Sequence, residues 1–253
     1  MITSNNKKEI SILNKLVWFA TKYPEGTLLQ FLSLVGAYQY RLLYRVFHKY
    51  VPTGVKVLDW GVGNGHFSFF LVKAGYKTFG YSLNMFPKGV ELADEQYRFV
   101  QGSTGDPTNL PFKDCSFDAV ASIGVLEHVR EIGGDEEKSL NEILRVLKPG
   151  GVFICYHLPN RYSLVEMVSR FLPKKHHHRY RYTSSKISKL LNNAQLNLIY
   201  IKRYGFLPRN FWGRVPTFLS NSKIMALSWN TMDIFLSFLF SILCQNYVFV
   251  VRK

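Results

Sequence analysis

The order of apolar runs and amphipathic segments along the chain predicts an α/β fold. Short apolar runs are typical of strands buried in a parallel sheet, and longer segments with apolar residues three and four positions apart are typical of helices. The two patterns alternate through the middle of the chain, which favours a mostly parallel sheet with helices on its faces. The predicted strands are 55–59, 77–81, 97–101, 117–123 and 152–156, and the predicted helices between them are 66–74, 87–94 and 136–147.

Further elements are predicted on both sides of this middle region. Residues 7–23 and 28–50 each predict a helix, and Pro24 is expected to end the first of them. The most apolar run, 234–244, is shorter than the roughly 20 residues that a membrane-spanning helix needs, so we expect a buried or interfacial helix there. The other predicted elements are helices at 164–172 and 183–193 and strands at 196–204 and 247–252.

A glycine-rich turn directly after the first strand is the clearest local signal. Asp59 closes the strand, and Gly61, Gly63 and Gly65 follow at alternate positions before a helical run begins. Glycines at such a turn allow a sharp bend and let a ligand approach the backbone closely. A glycine motif alone is weak evidence, because an ordinary tight turn between strand and helix also accommodates it.

Five separate segments together resemble the type 11 methyltransferase domain of the class I S-adenosylmethionine-dependent methyltransferases. They are VLDWGVGNG at 57–65, LPF at 110–112, SFD at 116–118, VLEHV at 125–129 and RVLKPGG at 145–151. The resemblance covers residues 55–156 and implies a Rossmann-like fold, with a mostly parallel seven-stranded sheet and an antiparallel C-terminal strand. It also implies S-adenosyl-L-methionine as the cofactor. Beyond residue 157 only the layout is similar, and it is similar to that of lipid-quinone O-methyltransferases.

These patterns together predict one methyltransferase domain over residues 1–253. Its four parts are an N-terminal helical cap at 1–50, a cofactor-binding core at 55–156, a basic insert on the substrate side at 157–195, and C-terminal strands with an apolar helix at 196–253. The N-terminal helices are expected either to cap the cleft or to pack against the sheet.

The resemblance also assigns cofactor contacts, with one departure from the family pattern. The second strand of the family ends in a carboxylate that binds the ribose hydroxyls, whereas this strand ends in Ser82. A serine hydroxyl holds a diol less firmly than a charged carboxylate does. Asp106 is expected beside the adenine amino group, with Ser103 as the alternative and a simple turn before Pro107 as another. The full predicted cofactor set is Asp59, Trp60, Gly61, Gly63, Gly65, Ser82, Asp106 and Ile123.

Histidines follow the fourth and fifth strands, where ligands of open α/β sheets lie. His128 and His157 are the candidate general bases, because an unperturbed histidine has a pKa of about 6.5 and can accept a proton near neutral pH. A structural role for His128 in bracing its loop stays open. Three adjacent histidines at 176–178 suggest a metal site, but neighbouring side chains do not easily converge on one ion, so no metal site is predicted.

The charge of the chain is concentrated in its C-terminal third. Of the formal net charge of +15, residues 167–253 contribute +13, from 14 Lys and Arg against one acid, Asp233. Such asymmetry favours an anionic partner, although a solvated basic surface would also explain it. One hypothesis places the 164–172 helix at an anionic membrane, and a lid over the cleft is the competing interpretation. In the membrane hypothesis four basic residues face phosphate groups: Lys174, Lys175, Arg179 and Arg181.

The leading functional prediction is methyl transfer to an oxygen atom of a small, sugar or lipid-linked acceptor. A nucleic-acid methyltransferase is the second prediction. It is less favoured because Ser122-Ile123-Gly124-Val125 replaces the Asn/Asp-Pro-Pro-aromatic motif of amino-group methylases, but the sequence does not exclude a nucleic-acid partner. A non-catalytic binding protein with this fold is the third.

The expected location is the cytoplasm, with peripheral association at the inner face of the membrane as a further hypothesis. The three cysteines have no paired spacing, which indicates a reducing compartment, and the first residues do not resemble a secretory signal.

Overall fold

The computed structural model describes residues 2–23, 28–83, 90–92, 94–171 and 177–253. Seven strands lie within these ranges: β1 Lys56–Trp60, β2 Lys77–Ser82, β3 Tyr97–Gln101, β4 Phe117–Ile123, β5 Leu147–Pro159, β6 Asn197–Tyr204 and β7 Asn246–Arg252. The α-helices of the same ranges are α1 Ile2–Lys22, α2 Leu34–Tyr38, α3 Arg41–Tyr50, α4 His66–Ala74, α5 Glu136–Val146, α6 Leu164–Ser169, α7 Ser184–Asn193, α8 Thr217–Ser220 and α9 Lys223–Leu239.

The seven strands form one sheet in the order β3-β2-β1-β4-β5-β7-β6. β1 pairs in parallel with both β2 and β4, while β7 pairs antiparallel with β5 and β6. This arrangement confirms the predicted α/β fold with a mostly parallel sheet and an antiparallel C-terminal strand. The strand order reverses between β1 and β4, and such a switch point is where open α/β sheets bind ligands.

Each face of the sheet is covered by its own apolar cluster. On one face the N-terminal helices pack with α4, and the rings of Tyr44 and Phe70 stack with centroids 3.8 Å apart. On the other face α5 and α7 cover the strands through Leu140, Ile143 and Ile187, among others. The N-terminal helices therefore contribute to the core by packing, and one segment of them also reaches the cleft.

The predicted single helix at 28–50 is wrong, because this segment is broken into a 3-10 turn at Leu29–Phe31 followed by α2 and α3. Ser33 begins α2, and its side-chain oxygen accepts a hydrogen bond from the backbone N–H of Gly36 at 3.0 Å. A side chain that satisfies a free helical N–H in this way favours a new helix start over continuation. The break places Gln30 and Tyr40 at the cleft.

The predicted apolar helix at 234–244 also differs from the structure. The helix α9 begins at Lys223, where Ser222 caps it, and ends at Leu239. Its apolar side chains Phe235 and Phe238 are exposed, which excludes the buried interpretation of that run. The expected end of the first helix at Pro24 lies outside the described residues. The expected helix at 87–94 also lies outside the described residues, apart from residues 90–92 and 94. The same holds for residues 172–176, which include Lys174 and Lys175.

Candidate active site

Two cavities open at the switch point, at the carboxyl ends of β1 and β4. The first, the Ser82 cavity, has a volume of about 430 Å³ and is lined by Trp60, Tyr81, Ser82 and His128 among others. The second, the Arg209 cavity, has a volume of about 390 Å³. Its polar lining consists of Gln30, Tyr40, Asp59, Asn64, His66, His157 and Arg209. Gly61, Gly63 and Gly124 line both cavities, and we call these three residues the glycine wall. The two cavities adjoin along it, so one elongated ligand could extend from one into the other.

The glycine wall is shaped by backbone conformations that other residues rarely adopt. Gly61 has a φ of 81°, and a Cβ atom added there would collide with the side chain of Val125. Gly63 has a φ of 55°, and a Cβ atom there would meet only the carbonyl oxygen of Gly61, at 3.9 Å. Gly63 thus leaves room for a ligand against bare backbone, as a nucleotide-type cofactor requires, whereas at Gly61 the missing side chain makes room for Val125.

The structure brings most of the predicted cofactor residues to these cavities. Asp59 and Ile123 line the Arg209 cavity, and Trp60 and Ser82 line the Ser82 cavity. Gly65 lies one step away, because it caps the N-terminus of α4 with a φ of 82°. Asp106 is not brought to either cavity. It is exposed, and its carboxylate accepts hydrogen bonds from the Thr108 hydroxyl at 3.2 Å and the Asn109 backbone N–H at 3.4 Å.

The carboxyl group of Asp59 is almost completely buried beneath the glycine wall. Its Oδ2 accepts a hydrogen bond from the Ser68 hydroxyl at 2.6 Å. Burial raises the pKa of Asp59 to about 7, and the Ser68 hydrogen bond opposes that rise. Asp59 therefore holds its proton in part at neutral pH and can donate as well as accept a hydrogen bond.

The two predicted bases lie in different cavities. His128 lines the Ser82 cavity, and its Nδ1 is 2.8 Å from the carboxylate of Glu131. His157 lines the Arg209 cavity with a φ of 67°, its Nδ1 lies 2.7 Å from the Tyr204 hydroxyl, and Arg209 donates to its Nε2 at 2.7 Å. A guanidinium can only donate, so the His157 ring is the neutral tautomer with its proton on Nδ1. Burial and the Arg209 charge together hold the pKa of His157 well below its usual range.

Five polar residues of the Arg209 cavity were not among the predicted site residues. They are Gln30, Tyr40, Asn64, His66 and Arg209. His66 follows the last glycine of the motif directly, which is the signal that could have identified it, and burial lowers its pKa to about 3. Arg209 carried no such signal, because only the path of the chain after β6 brings it to the cleft.

Glu127 is a second buried acid near the cleft. Its side chain is 3% exposed, its Oε2 has no hydrogen-bond partner among the described residues, and burial raises its pKa to about 8. Potential ligand atoms of Glu127, His128 and His178 lie within 4.8 Å of one another. The histidines already have carboxylate partners, since His178 Nδ1 is 2.8 Å from Glu166 and His128 pairs with Glu131.

Comparison with known proteins agrees with this geometry. A family model described as a methyltransferase domain matches residues 58–155, the segment that forms the glycine wall and the ends of β1 and β4. Residues 58–155 form a class I methyltransferase domain. The demethylmenaquinone methyltransferase of Tropheryma whipplei is 30% identical over 146 residues, which cover 56% of this chain and 55% of that protein. The chain spans 28 to 55% of the length of the first curated relatives that it matches.

Solved structures share the fold of this methyltransferase domain. The 1,6-didemethyltoxoflavin-N1-methyltransferase of Burkholderia thailandensis, solved with bound 1,6-didemethyltoxoflavin and S-adenosylhomocysteine, aligns with a TM-score of 0.55 and 20% identity. That alignment covers 84% of this chain and 77% of that one. The [4+2]-cyclase SpnF aligns with a TM-score of 0.57 and 16% identity over 86% of this chain and 81% of its own. The comparisons support S-adenosylmethionine as the cofactor of the domain.

Proposed function

We propose that the protein transfers a methyl group from S-adenosylmethionine to an oxygen atom of a small, sugar or lipid-linked acceptor. The observation that carries this proposal is the pair of cavities that meet at Gly61, Gly63 and Gly124, within a domain that matches methyltransferases. Bound S-adenosylmethionine would supply an already activated methyl group. The protein then mainly has to hold donor and acceptor in line and exclude water.

In this proposal the two cavities have separate roles. Trp60, Tyr81 and Ser82 would hold the adenosine part of the cofactor in the Ser82 cavity. The glycine wall would let its amino-acid part pass into the Arg209 cavity, and the acceptor would enter that cavity beside Tyr40 and His157. Asp106 could join the adenine contacts only after a movement of its turn, because neither cavity includes it.

His128 and His157 are both retained as candidate bases, for different reasons. The Glu131 carboxylate beside His128 Nδ1 would orient the ring, so the contacts of His128 favour a base. His157 has the better position, since it lies where the acceptor would enter. However, His157 could accept a proton only after Arg209 released its Nε2.

Titration of S-adenosylmethionine by calorimetry tests the cofactor assignment. We expect the wild-type protein to bind, and Ser82→Asp to bind more tightly or equally well, because a carboxylate there could accept hydrogen bonds from both ribose hydroxyls. Ser228→Asp adds the same charge at an exposed position of α9 outside both cavities and should leave the affinity unchanged.

A large loss of affinity in Ser82→Asp alone would show that residue 82 faces something other than ribose. No binding by the wild-type protein would contradict methyl transfer and favour the non-catalytic alternative, because the fold alone does not fix the function.

The lipid-linked form of the proposal rests on an unusual distribution of side chains on α9. The face toward the protein is small or polar: Ala226, Asp233 and Ser237 are buried, and the Asn230 amide donates to the carbonyl oxygen of Val35 at 3.1 Å. The exposed face carries an apolar stripe at helical spacing, formed by Ile224, Leu227, Ile234, Phe235 and Phe238. A helix on a water-exposed surface normally has the opposite arrangement.

Charge around the α9 stripe suits an anionic lipid surface. Asp233 is the one acid of residues 167–253, and it is buried with its Oδ1 accepting a hydrogen bond from the Leu207 backbone N–H at 2.7 Å. Phe171 at the end of the α6 segment is 88% exposed, and Arg179 and Arg181 follow it. No helix within the described residues is long and apolar enough to cross a bilayer. We therefore propose peripheral docking, with an amphipathic acceptor taken from the membrane.

Nucleic acid is the second candidate partner, favoured by the net charge alone. An exposed apolar stripe does not suit phosphate-backbone binding, which uses basic and polar groups. Lipid fits both the charge and the stripe.

Sedimentation with phospholipid vesicles tests the docking proposal. We expect binding to anionic vesicles and little to neutral ones. The double variant Phe235→Ser, Phe238→Ser should weaken binding at least about 100-fold. Two phenylalanine side chains that become buried in the lipid contribute several kcal/mol to the free energy of binding. Replacing Lys174, Lys175, Arg179 and Arg181 by Gln should also weaken it, by about 1 kcal/mol for each basic group near the surface.

Trp18→Ser is the matched control, since Trp18 is an exposed aromatic residue on α1. Wild-type protein that stays in the supernatant with both vesicle types at low salt would contradict docking. It would leave a water-soluble acceptor, such as a sugar, as the better proposal.

A further inference from the structure

Arg209 places a cation in the cleft for which methyl transfer itself provides no role. The residue is half-buried in the segment between β6 and α8 and lines the Arg209 cavity. Its Nη1 donates to His157 Nε2 at 2.7 Å, and its Cζ lies 5.7 Å from the centre of the Tyr40 ring. These contacts fix the guanidinium in place, but neither partner carries a negative charge.

The described residues supply no carboxylate partner for Arg209. No Asp or Glu oxygen among them lies within 4.0 Å of its guanidinium. Asp59 is the acid that lines the same cavity, and its pKa of about 7 keeps it partly protonated at neutral pH. The nearby Asp233 accepts a hydrogen bond from the Leu207 N–H; burial raises the pKa of its carboxyl, and the Arg209 charge opposes that rise.

Two histidines and two tyrosines near Arg209 are uncharged at neutral pH. Burial, with a smaller contribution from the Arg209 charge, lowers the pKa of His66 to about 3 and that of His157 well below its usual range. Burial raises the pKa of Tyr40 and Tyr204, so both phenols keep their protons. The negative charge available near Arg209 is therefore that of the partly ionised Asp59 and of Asp233, and neither carboxylate lies within 4.0 Å of the guanidinium.

A partly desolvated cation without a counter-charge is costly unless a ligand supplies the anion. Arginine suits that role, because its planar group binds carboxylate and phosphate through two parallel hydrogen bonds. Its hydrogen bonds to His157 use Nη1 and a further one joins it to the Tyr40 side chain, so the guanidinium, which has five N–H donors, can still donate into the cavity. An anionic ligand group would supply the close counter-charge that the described residues do not place within 4.0 Å of the guanidinium.

We propose that Arg209 is the anion-binding residue of the cleft and holds a carboxylate or phosphate group of a ligand in the Arg209 cavity. The group has two possible sources: the carboxylate of the cofactor's methionine part, or an anionic group on the acceptor. The inference rests on the proposed function for its first probe, S-adenosylhomocysteine, and is independent of it for the second, inorganic phosphate.

Calorimetry with two relatives of the cofactor distinguishes the two possible sources of the anionic group. S-adenosylhomocysteine carries the carboxylate, and 5′-methylthioadenosine lacks it. If the cofactor is the source, Arg209→Gln should weaken S-adenosylhomocysteine about 10- to 100-fold and leave 5′-methylthioadenosine unchanged, since a charged hydrogen bond is lost. If the acceptor is the source, Arg209→Gln should bind each of the two ligands with the affinity of the wild-type protein. In that case inorganic phosphate should raise the Tm of the wild-type protein saturated with S-adenosylhomocysteine, but not that of the variant.

Two further variants keep the result interpretable. Arg209→Lys retains the charge and should recover most of the anion binding, which a loss caused by misfolding would not do. Arg214→Gln removes one exposed charge from the same loop and should behave as wild type. Wild-type affinities for both ligands in Arg209→Gln, together with the same phosphate response, would overturn the inference. No binding of either ligand to any form would instead overturn the proposed function, and the Tm response of the ligand-free protein to inorganic phosphate, compared with that of Arg209→Gln, would then decide this inference alone.

Discussion

Gly61→Val is expected to abolish binding of S-adenosylmethionine. The substituted side chain meets two obstacles at once: a φ of 81°, which a β-branched residue does not adopt without strain, and a direct collision with Val125. Relief of that collision would displace Val125 or the glycine turn itself, at the point where the two cavities meet. We expect a loss of at least about 100-fold in affinity, measured by calorimetry on protein shown to be folded by circular dichroism.

Gly54→Val is the matched control for this experiment. Gly54 has a φ of 83°, nearly that of Gly61, but a Cβ atom there would meet nothing within 4 Å, and the residue lies outside both cavities. Both variants should pay a similar strain of about 1–3 kcal/mol in the free energy of unfolding. Only Gly61→Val should lose the cofactor. Equal affinities in wild type and folded Gly61→Val would mean that the binding site lies elsewhere.

The second large effect is a fall in stability between pH 6.5 and pH 8. Burial raises the pKa of Glu127 to about 8, against 4.5 for an ordinary glutamate, so the folded state holds a proton that the unfolded chain has already released. The stabilisation that the protonated Glu127 carboxyl provides is fully present below its pKa in the unfolded chain, 4.5. It is lost as the pH rises through its pKa in the folded protein, about 8. Across that interval Glu127 should remove about 2 kcal/mol from the free energy of unfolding.

Urea denaturation of the wild type and of Glu127→Gln at several pH values measures this effect. The variant has no proton to lose at residue 127, so its stability should fall by about 2 kcal/mol less than that of the wild type over this interval. Asp59, whose pKa burial also raises to about 7, lowers the stability of both proteins equally. His66 has the opposite sign, because its lowered pKa of about 3 makes it destabilise the fold only as the pH falls below 6.5. Parallel pH profiles of the two proteins would show that Glu127 ionises normally in the folded state.

The sequence predicted the part of the fold that local chemistry determines. Strand β1, the glycines and α4 are consecutive, so their order alone indicated a ligand-binding turn, and the strands 97–101 and 117–123 were predicted at their observed bounds. The break in 28–50 was missed because apolar residues at helical spacing continue through it, whereas the side chain of Ser33 starts a new helix.

The inner end of the cleft could not be predicted in the same way. Tyr40, His157 and Arg209 come from three distant parts of the chain, and only the packed sheet brings them together. Asp106 shows the reverse case, since a motif spacing indicated a cofactor contact but the carboxylate is used within its own turn.

The position of β7 has a consequence for the order in which the protein can assemble during synthesis. β7 is the last strand of this chain to leave the ribosome, yet it lies inside the sheet between β5 and β6. Until residues 246–252 emerge, β6 has no neighbour and one edge of β5 stays open. The Tyr204 hydroxyl that meets His157 lies at the end of β6, and Arg209 follows it, so the inner end of the cleft can form only when translation of the sheet is complete.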